Sequence, residues 1–199
     1  MPGPGAFLVG DEERRHVAEV METGYLSRYG KEDNPKFKHK VVTLEQRFAE
    51  RSGVKHALAV NGGTGAIMAS LVALGVGPGV EVLVPGYTFV ASISAVLAVG
   101  GIPVLAEIDE SLTMDPADLD GKVTGRTRVI MPVHMLGNPS AMDAIMAVAR
   151  RHKLLHLHHR HLGRRRHDRI EVPRRLPIDE VALRIGLPVR QAQEARTDE

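Results

Sequence analysis

The chain of 199 residues contains no cysteine. That excludes a disulfide framework and any thiolate-ligated zinc or iron–sulfur centre, and it fits a cytoplasmic protein. Tryptophan is absent as well, and aromatic residues make up only 4 % of the sequence. Small aliphatic side chains must therefore fill the core, as they do beneath parallel sheets. No apolar run approaches the roughly 20 residues that a membrane-spanning helix needs. The opening Met-Pro-Gly-Pro-Gly lacks the basic and apolar regions of a secretion signal. An excess of one charge is also missing: 26 Lys and Arg against 24 Asp and Glu leave a net charge of +2. That is too little to argue for nucleic acid across the whole chain. Finally, no lysine follows Lys153.

What is present is a regular alternation. Asp11 can cap a helix carrying Val17, Val20 and Met21, stopped at Gly24. After a polar loop over residues 25–40, Thr43 can cap a second helix that pairs Leu44 with Phe48 and ends at Gly53. Strands are then predicted over 56–60, 81–84, 102–106 and 129–132, with Leu154 to Leu157 as a further candidate. Helices are predicted between them over 64–74, 90–99, 116–119 (capped by Asp115) and 141–151. Continuously apolar strands separated by helices predict an α/β fold, a three-layer sandwich around a mostly parallel sheet.

Three loops carry chemistry. In Asn61-Gly62-Gly63-Thr64-Gly65-Ala66 a glycine turn opens a helix. The first N–H groups of a helix lack partners within it, and with the helix dipole they favour an anion. A tight turn without ligand fits the same residues. A dinucleotide fits them poorly, because Met68 stands where a small residue is needed and no acid ends the next strand. Pro85-Gly86-Tyr87-Thr88-Phe89 lies at the carboxyl end of a strand, where open parallel sheets bind ligands, and an aromatic there either stacks on a flat ring or packs inward. Val133-His134-Met135-Leu136-Gly137 follows another strand, so His134 either touches a ligand or is satisfied within its loop.

In this order and spacing, these segments resemble the amino-terminal part of the DegT/StrS-type sugar aminotransferases, which use pyridoxal 5'-phosphate (PLP) on the fold-type-I scaffold. The resemblance runs from Gly24-Tyr25-Leu26-Ser27 through Leu44-Glu45-Gln46-Arg47-Phe48-Ala49, Ala59 to Thr64, Gly77-Pro78-Gly79-Val80-Glu81-Val82, Pro85 to Ala91 and Gly101-Ile102-Pro103-Val104, to Val133 to Gly137 and the helix ending at His152. It implies that Gly63, Thr64 and Gly65 bind the coenzyme phosphate, that Phe89 stacks on the pyridine ring and that His134 lies nearby. It also implies amino transfer from glutamate or glutamine to a keto-sugar nucleotide or keto-cyclitol, in a homodimer. The resemblance ends at Leu157. Where relatives carry an acidic pair whose aspartate meets the pyridinium nitrogen, this sequence has His158 and His159. The Schiff-base lysine that relatives supply further on has no counterpart after Lys153. The expectation is an incomplete large domain over 1–157, inactive by itself, or a non-catalytic relative that binds coenzyme or a partner.

The region 158–199 reads as a basic linker and tail. His152, His156, His158, His159, His161 and His167 have chelating spacings but no scaffold, so a solvated linker is favoured over a metal site. The stretch 178–189 resembles the start of a helix-turn-helix, which raises a DNA-binding or regulatory fusion as a third reading. The short polar end of the chain argues against it.

Overall fold

The computed structural model describes residues 9–157, which form two compact units divided after Ala59. The histidine-rich tail and the helix-turn-helix-like stretch lie outside the described residues.

The first unit holds two helices. α1 spans Asp11–Thr23 and stops at Gly24, whose φ of 70° closes the last turn. Gly10 is the residue at its N-cap, and its N–H donates to the Glu13 carboxylate at 2.7 Å, so Asp11 is the first helical residue and not the cap. α2 spans Lys40–Ser52. It begins three residues before the expected Thr43, because His39 makes the turn with φ of 50° and its carbonyl accepts the Thr43 N–H at 2.9 Å. The side of α2 that is buried carries Glu45, Ala49 and Ser52 rather than Leu44. Glu45 is buried in an ion pair with Arg28 and also accepts the Ala59 N–H at 2.8 Å. The Arg28 bond and then the Ala59 bond hold its carboxyl below the usual range against the opposing push of burial.

The expected strand over 56–60 does not form: no strand lies between α2 and the next helix. A strand exists through its ladder, and the Ala59 N–H is committed to a side chain instead. Leu58 and Val60 are correspondingly exposed.

The second unit is α3 (Gly63–Ala73), β1 (Glu81–Pro85), α4 (Val90–Ala98), β2 (Ile102–Ala106), α5 (Pro116–Lys122), β3 (Thr127–Ile130), α6 (Met142–His152) and β4 (Leu155–His156). The strands pair in parallel in the order β2-β1-β3-β4. Strand alternation sorts the core into two sides. Val82 and Val84 of β1 and Val129 of β3 pack with Ile67 and Leu71 of α3 and Ala95 and Val96 of α4. Leu83 and Ile130 point the other way, onto Leu119 of α5 and Ile145, Val148 and Ala149 of α6. Helices thus cover both sides, which gives the three layers expected from the sequence. Each fully buried aliphatic side chain contributes on the order of 1.5–3 kcal/mol.

The strand order follows from chirality. β1 passes through α4 to β2 on one side, and the chain then returns past β1 through α5 to β3. Right-handed crossovers in opposite directions place their helices on opposite faces, as α4 and α5 are. The direction of winding therefore reverses between β1 and β3, and this is where an open parallel sheet leaves a crevice at the carboxyl ends of its strands.

Candidate functional site

The loops that flank this crevice are Gly86 to Phe89 after β1 and Val133 to Ser140 after β3. α3 contributes from the side. Its carboxyl end is at the amino edge of the sheet, where the Leu74 carbonyl accepts from Arg128 Nε near the start of β3 at 2.6 Å. Its amino end therefore lies at the carboxyl edge. α4 packs on the same side of the sheet as α3 and also begins there, directly after Phe89. All five residues singled out from the sequence, Gly63, Thr64, Gly65, Phe89 and His134, thus belong to one edge.

At the start of α3, Gly62 is extended and offers no capping side chain. The first helical bond runs from Ala66 N to Gly62 O, so the N–H groups of Gly63, Thr64 and Gly65 have no carbonyl partner in the helix. Gly63 and Thr64 are exposed and Gly65 is half-buried. Nothing seals Thr64. Asn61 folds over this turn: a Cβ on Gly65 would lie 2.6 Å from Asn61 Oδ1. The glycine at 65 therefore gives the Asn61 carboxamide its place.

The turn after β1 continues the ladder for one residue, with the Gly86 N–H donating to Ala106 O at 2.8 Å. Phe89 then precedes α4, with 69 % of its surface exposed. Among the described residues it is therefore mostly unpacked. Thr88 and Ser92 share a hydroxyl–hydroxyl bond at 2.9 Å that fixes the turn into α4.

His134 is buried. Its Nδ1 accepts the Ser140 N–H at 2.9 Å, and the Ser140 hydroxyl donates to Val133 O at 3.1 Å. Between them Leu136 holds a left-handed conformation, φ 54° and ψ 20°, while its side chain is exposed. For a non-glycine residue this costs on the order of 1–2 kcal/mol. Asn138 Nδ2 donates to the Ser111 carbonyl in the loop after β2 at 2.9 Å and so ties the outer end of the loop. The sequence pointed to His134 but not to Ser140, whose contribution to the ring is a main-chain N–H that any residue except proline would supply.

A groove of about 530 Å³ lies at the opposite, amino edge and is lined in part by Arg126, Arg128, His152 and Lys153. Its basic character is mostly spent internally. Arg126 pairs with Glu81, Arg128 donates to Leu74 O, and His152 meets Asp120. The carboxyl edge, with main-chain donors that have no partner among the described residues and with an exposed ring, is the better candidate. Among the described residues no three acidic or histidine side chains converge to hold a metal ion.

A model of the DegT/DnrJ/EryC1/StrS aminotransferase family matches residues 8–158. GDP-perosamine synthase of Caulobacter vibrioides is 44 % identical over 144 residues, which are 72 % of this chain and 37 % of that protein. Among solved structures, 3-amino-5-hydroxybenzoic acid synthase aligns with a TM-score of 0.69 at 36 % identity, over 76 % of this chain and 38 % of its own. NtdA of Bacillus subtilis, solved with bound cofactor PMP (pyridoxamine phosphate), aligns with a TM-score of 0.62 at 30 % identity, over 76 % and 34 %. The chain spans well under half the length of these relatives.

Proposed function

This chain belongs to the DegT/DnrJ/EryC1/StrS aminotransferase family, and on that premise we propose that its carboxyl edge holds the phosphate and ring of the family's pyridoxal phosphate coenzyme for amino transfer to a sugar. The observation that carries the reading is the pair of adjacent helix starts: unpaired N–H groups at Gly63 to Gly65 beside an exposed Phe89. The donors suit a phosphate dianion, and the Thr64 hydroxyl adds another. The Phe89 face suits a pyridine ring. When bound, the coenzyme supplies an electron sink for the carbon that loses its proton. The chain's own residues anchor and orient: the α3 turn fixes one end of the ligand, Phe89 limits its tilt, and His134 lies on the other side of the crevice, held through Nδ1 by the Ser140 N–H.

The finer reading is transfer from glutamate or glutamine to a keto-sugar nucleotide or keto-cyclitol. The relatives GDP-perosamine synthase and 3-amino-5-hydroxybenzoic acid synthase support this class. The lysine for such chemistry is not in the described sheet unit. Lys122 ends α5 and Lys153 follows α6, and both helices run from the carboxyl edge to the amino edge. We therefore read this unit as a coenzyme-holding half-site that does not transaminate without a lysine brought from elsewhere. Pairing of two copies is part of the same reading. It is supported by α1, which has no buried residue and exposes Val17 and Met21. Sedimentation of the full chain at the mass of one copy would overturn the pairing.

Calorimetric titration of the full chain with pyridoxamine phosphate tests the central proposal. Saturable binding is expected, weakened by about tenfold or more in Thr64→Val and in Phe89→Ala. No binding, or binding indifferent to both substitutions, would overturn it.

A further inference from the structure

We propose that the amino-edge groove is a second ligand site, for a small organic phosphomonoester. Its lining includes Arg126, Arg128, His152 and Lys153 and, among the described residues, no acidic side chain. Internal bonds take up part of this set. The buried Glu81 cancels the charge of Arg126, and His152 meets Asp120, which Arg151 also pairs. Two charges are left over. Arg128 donates from Nε to Leu74 O, but a main-chain carbonyl carries no net charge. The remaining N–H groups of Arg128 have no partner among the described residues. Lys153 is exposed and has none there either. Two positive charges match a phosphomonoester, which is close to a dianion at neutral pH.

Both groups are placed by the fold. Arg128 is the residue that the register shift between β1 and β3 leaves without a pairing partner on β1. Its guanidinium lies against Gly75, where an added Cβ would come within 3.1 Å of Nε and Nη2. A guanidinium fixed along one edge loses less freedom on meeting an oxyanion. Lys153 closes α6 in a left-handed conformation, φ 57° and ψ 34°. Glycine or asparagine serves such a turn with less strain, so the backbone does not account for a lysine there, whereas a bound anion does. The groove, at about 530 Å³, falls within the range of about 300–1,000 Å³ typical of small-molecule sites. A bare phosphate would leave most of it empty, and Val80, Leu154 and Leu155 give apolar walls to an organic body. β1, five residues long at about 3.3 Å per residue, separates the groove from the crevice. One small ligand cannot reach both, and the assignment does not depend on the coenzyme reading.

Calorimetric titration of the full chain with glucose 6-phosphate and with adenosine 5'-monophosphate tests this site. Saturable binding of at least one of them is expected. Glucose and adenosine, which lack the phosphate, and inorganic phosphate, which lacks the body, are each expected to bind at least about tenfold more weakly. Lys153→Asn keeps a residue suited to the left-handed turn, so folding is not at stake, and it is expected to lower the affinity about tenfold. Lys153→Arg is expected to retain it, and Arg128→Gln to lower it to a similar degree. Bound ester is expected to slow amide exchange at Arg126 and Lys153 and to leave Thr64 and Gly65 unchanged. Failure of both esters to bind would overturn the proposal. So would an unchanged affinity in a folded Lys153→Asn, protection at Thr64 and Gly65 in place of the groove, or inorganic phosphate binding as tightly as the esters. If pyridoxamine phosphate does not bind while an ester does, with these variant effects, the coenzyme reading fails and the groove assignment holds.

Discussion

Glu81 brings a charge to the first position of the central strand, where it is 3 % exposed. Its carboxylate accepts from Thr124 Oγ1 at 2.5 Å and Thr127 Oγ1 at 3.0 Å, and it pairs with Arg126 Nη2 at 2.6 Å. The Thr124 bond first, then those from Thr127 and Arg126, hold the carboxyl below its ordinary range against the opposing effect of burial. The register shift between Glu81 and Val82 makes this possible: Glu81 pairs with Thr127 and Val82 with Val129, leaving Arg128 as the extra residue that reaches Leu74. None of this was legible in the sequence, because the threonines lie 43 and 46 positions away. Ser140 lies only six positions from His134, and chemistry rather than distance hid its service: an amide N–H leaves no mark on residue type. For Glu81→Gln the expected loss is about 1–3 kcal/mol at neutral pH, from breaking a buried bonded group. The pH dependence has a definite sign. A carboxyl with a lowered folded pKa stabilises above its unfolded value, near 4.5, and that contribution disappears as pH falls through the folded value. Urea unfolding of wild type and variant at pH 7 and pH 3 checks this: the gap between them is expected to shrink in acid, and an equal gap at both would refute it.

The elements from α3 to β2 follow the sequence closely, and for one reason. Their strands are apolar apart from Glu81 and their helices are bounded by glycine turns, so periodicity and punctuation agree. Where the expected and observed elements differ, a longer-range contact decides. Residues 56–60 have strand-like composition, yet Ala59 bonds to Glu45 and the ladder has no place for them. The helix α3 shows how finely a site can be read from such an element. Gly65 was legible as part of a glycine turn that opens a helix, whereas the carboxamide lying over it was not. Alanine in an early helical position is favoured over glycine by up to about 1 kcal/mol. Against this stands the 2.6 Å approach of Asn61 Oδ1 to the new Cβ. Asn61 is exposed, so its side chain can swing outward at small cost. Gly65→Ala is therefore expected to raise the unfolding free energy by up to about 1 kcal/mol and to leave pyridoxamine phosphate affinity within about threefold, because the main-chain donors are unchanged. A loss of stability in chemical denaturation would show that the Asn61 amide is itself holding the turn.

At the scale of the whole sheet unit, the sequence announced a parallel sheet but not its order. Apolar strands alternating with helices are compatible with any order of windings; which neighbour a strand takes depends on the returns of the chain across the sheet. The order β2-β1-β3-β4 makes β1 the strand paired on both sides and covered on both faces, with all five residues buried. Among the described residues β2 is paired on one side, and two of its five residues, Ile102 and Leu105, are exposed. The same reversal of winding that centres β1 creates the crevice at its carboxyl end, so the most protected strand leads directly into the exposed Tyr87 and Phe89 loop. A rigid strand feeding a reachable loop is the arrangement by which a fold holds a ring-stacking side chain in place. The consequence is a steep gradient of opening energies over a few residues. Native-state hydrogen exchange of the full chain is expected to show the amides of Val82, Leu83 and Val84 opening only with global unfolding. Those of Tyr87 and Thr88 are expected to exchange by local fluctuation, at least about a hundredfold faster, and those of β2 to fall between. Binding of pyridoxamine phosphate is expected to slow exchange at Thr64 and Gly65 while leaving β1 at its global limit. Exchange at β2 slower than at β1 would mean that the sheet does not unfold from its edges inward, and the crevice would then not sit beside the most stable part of the molecule.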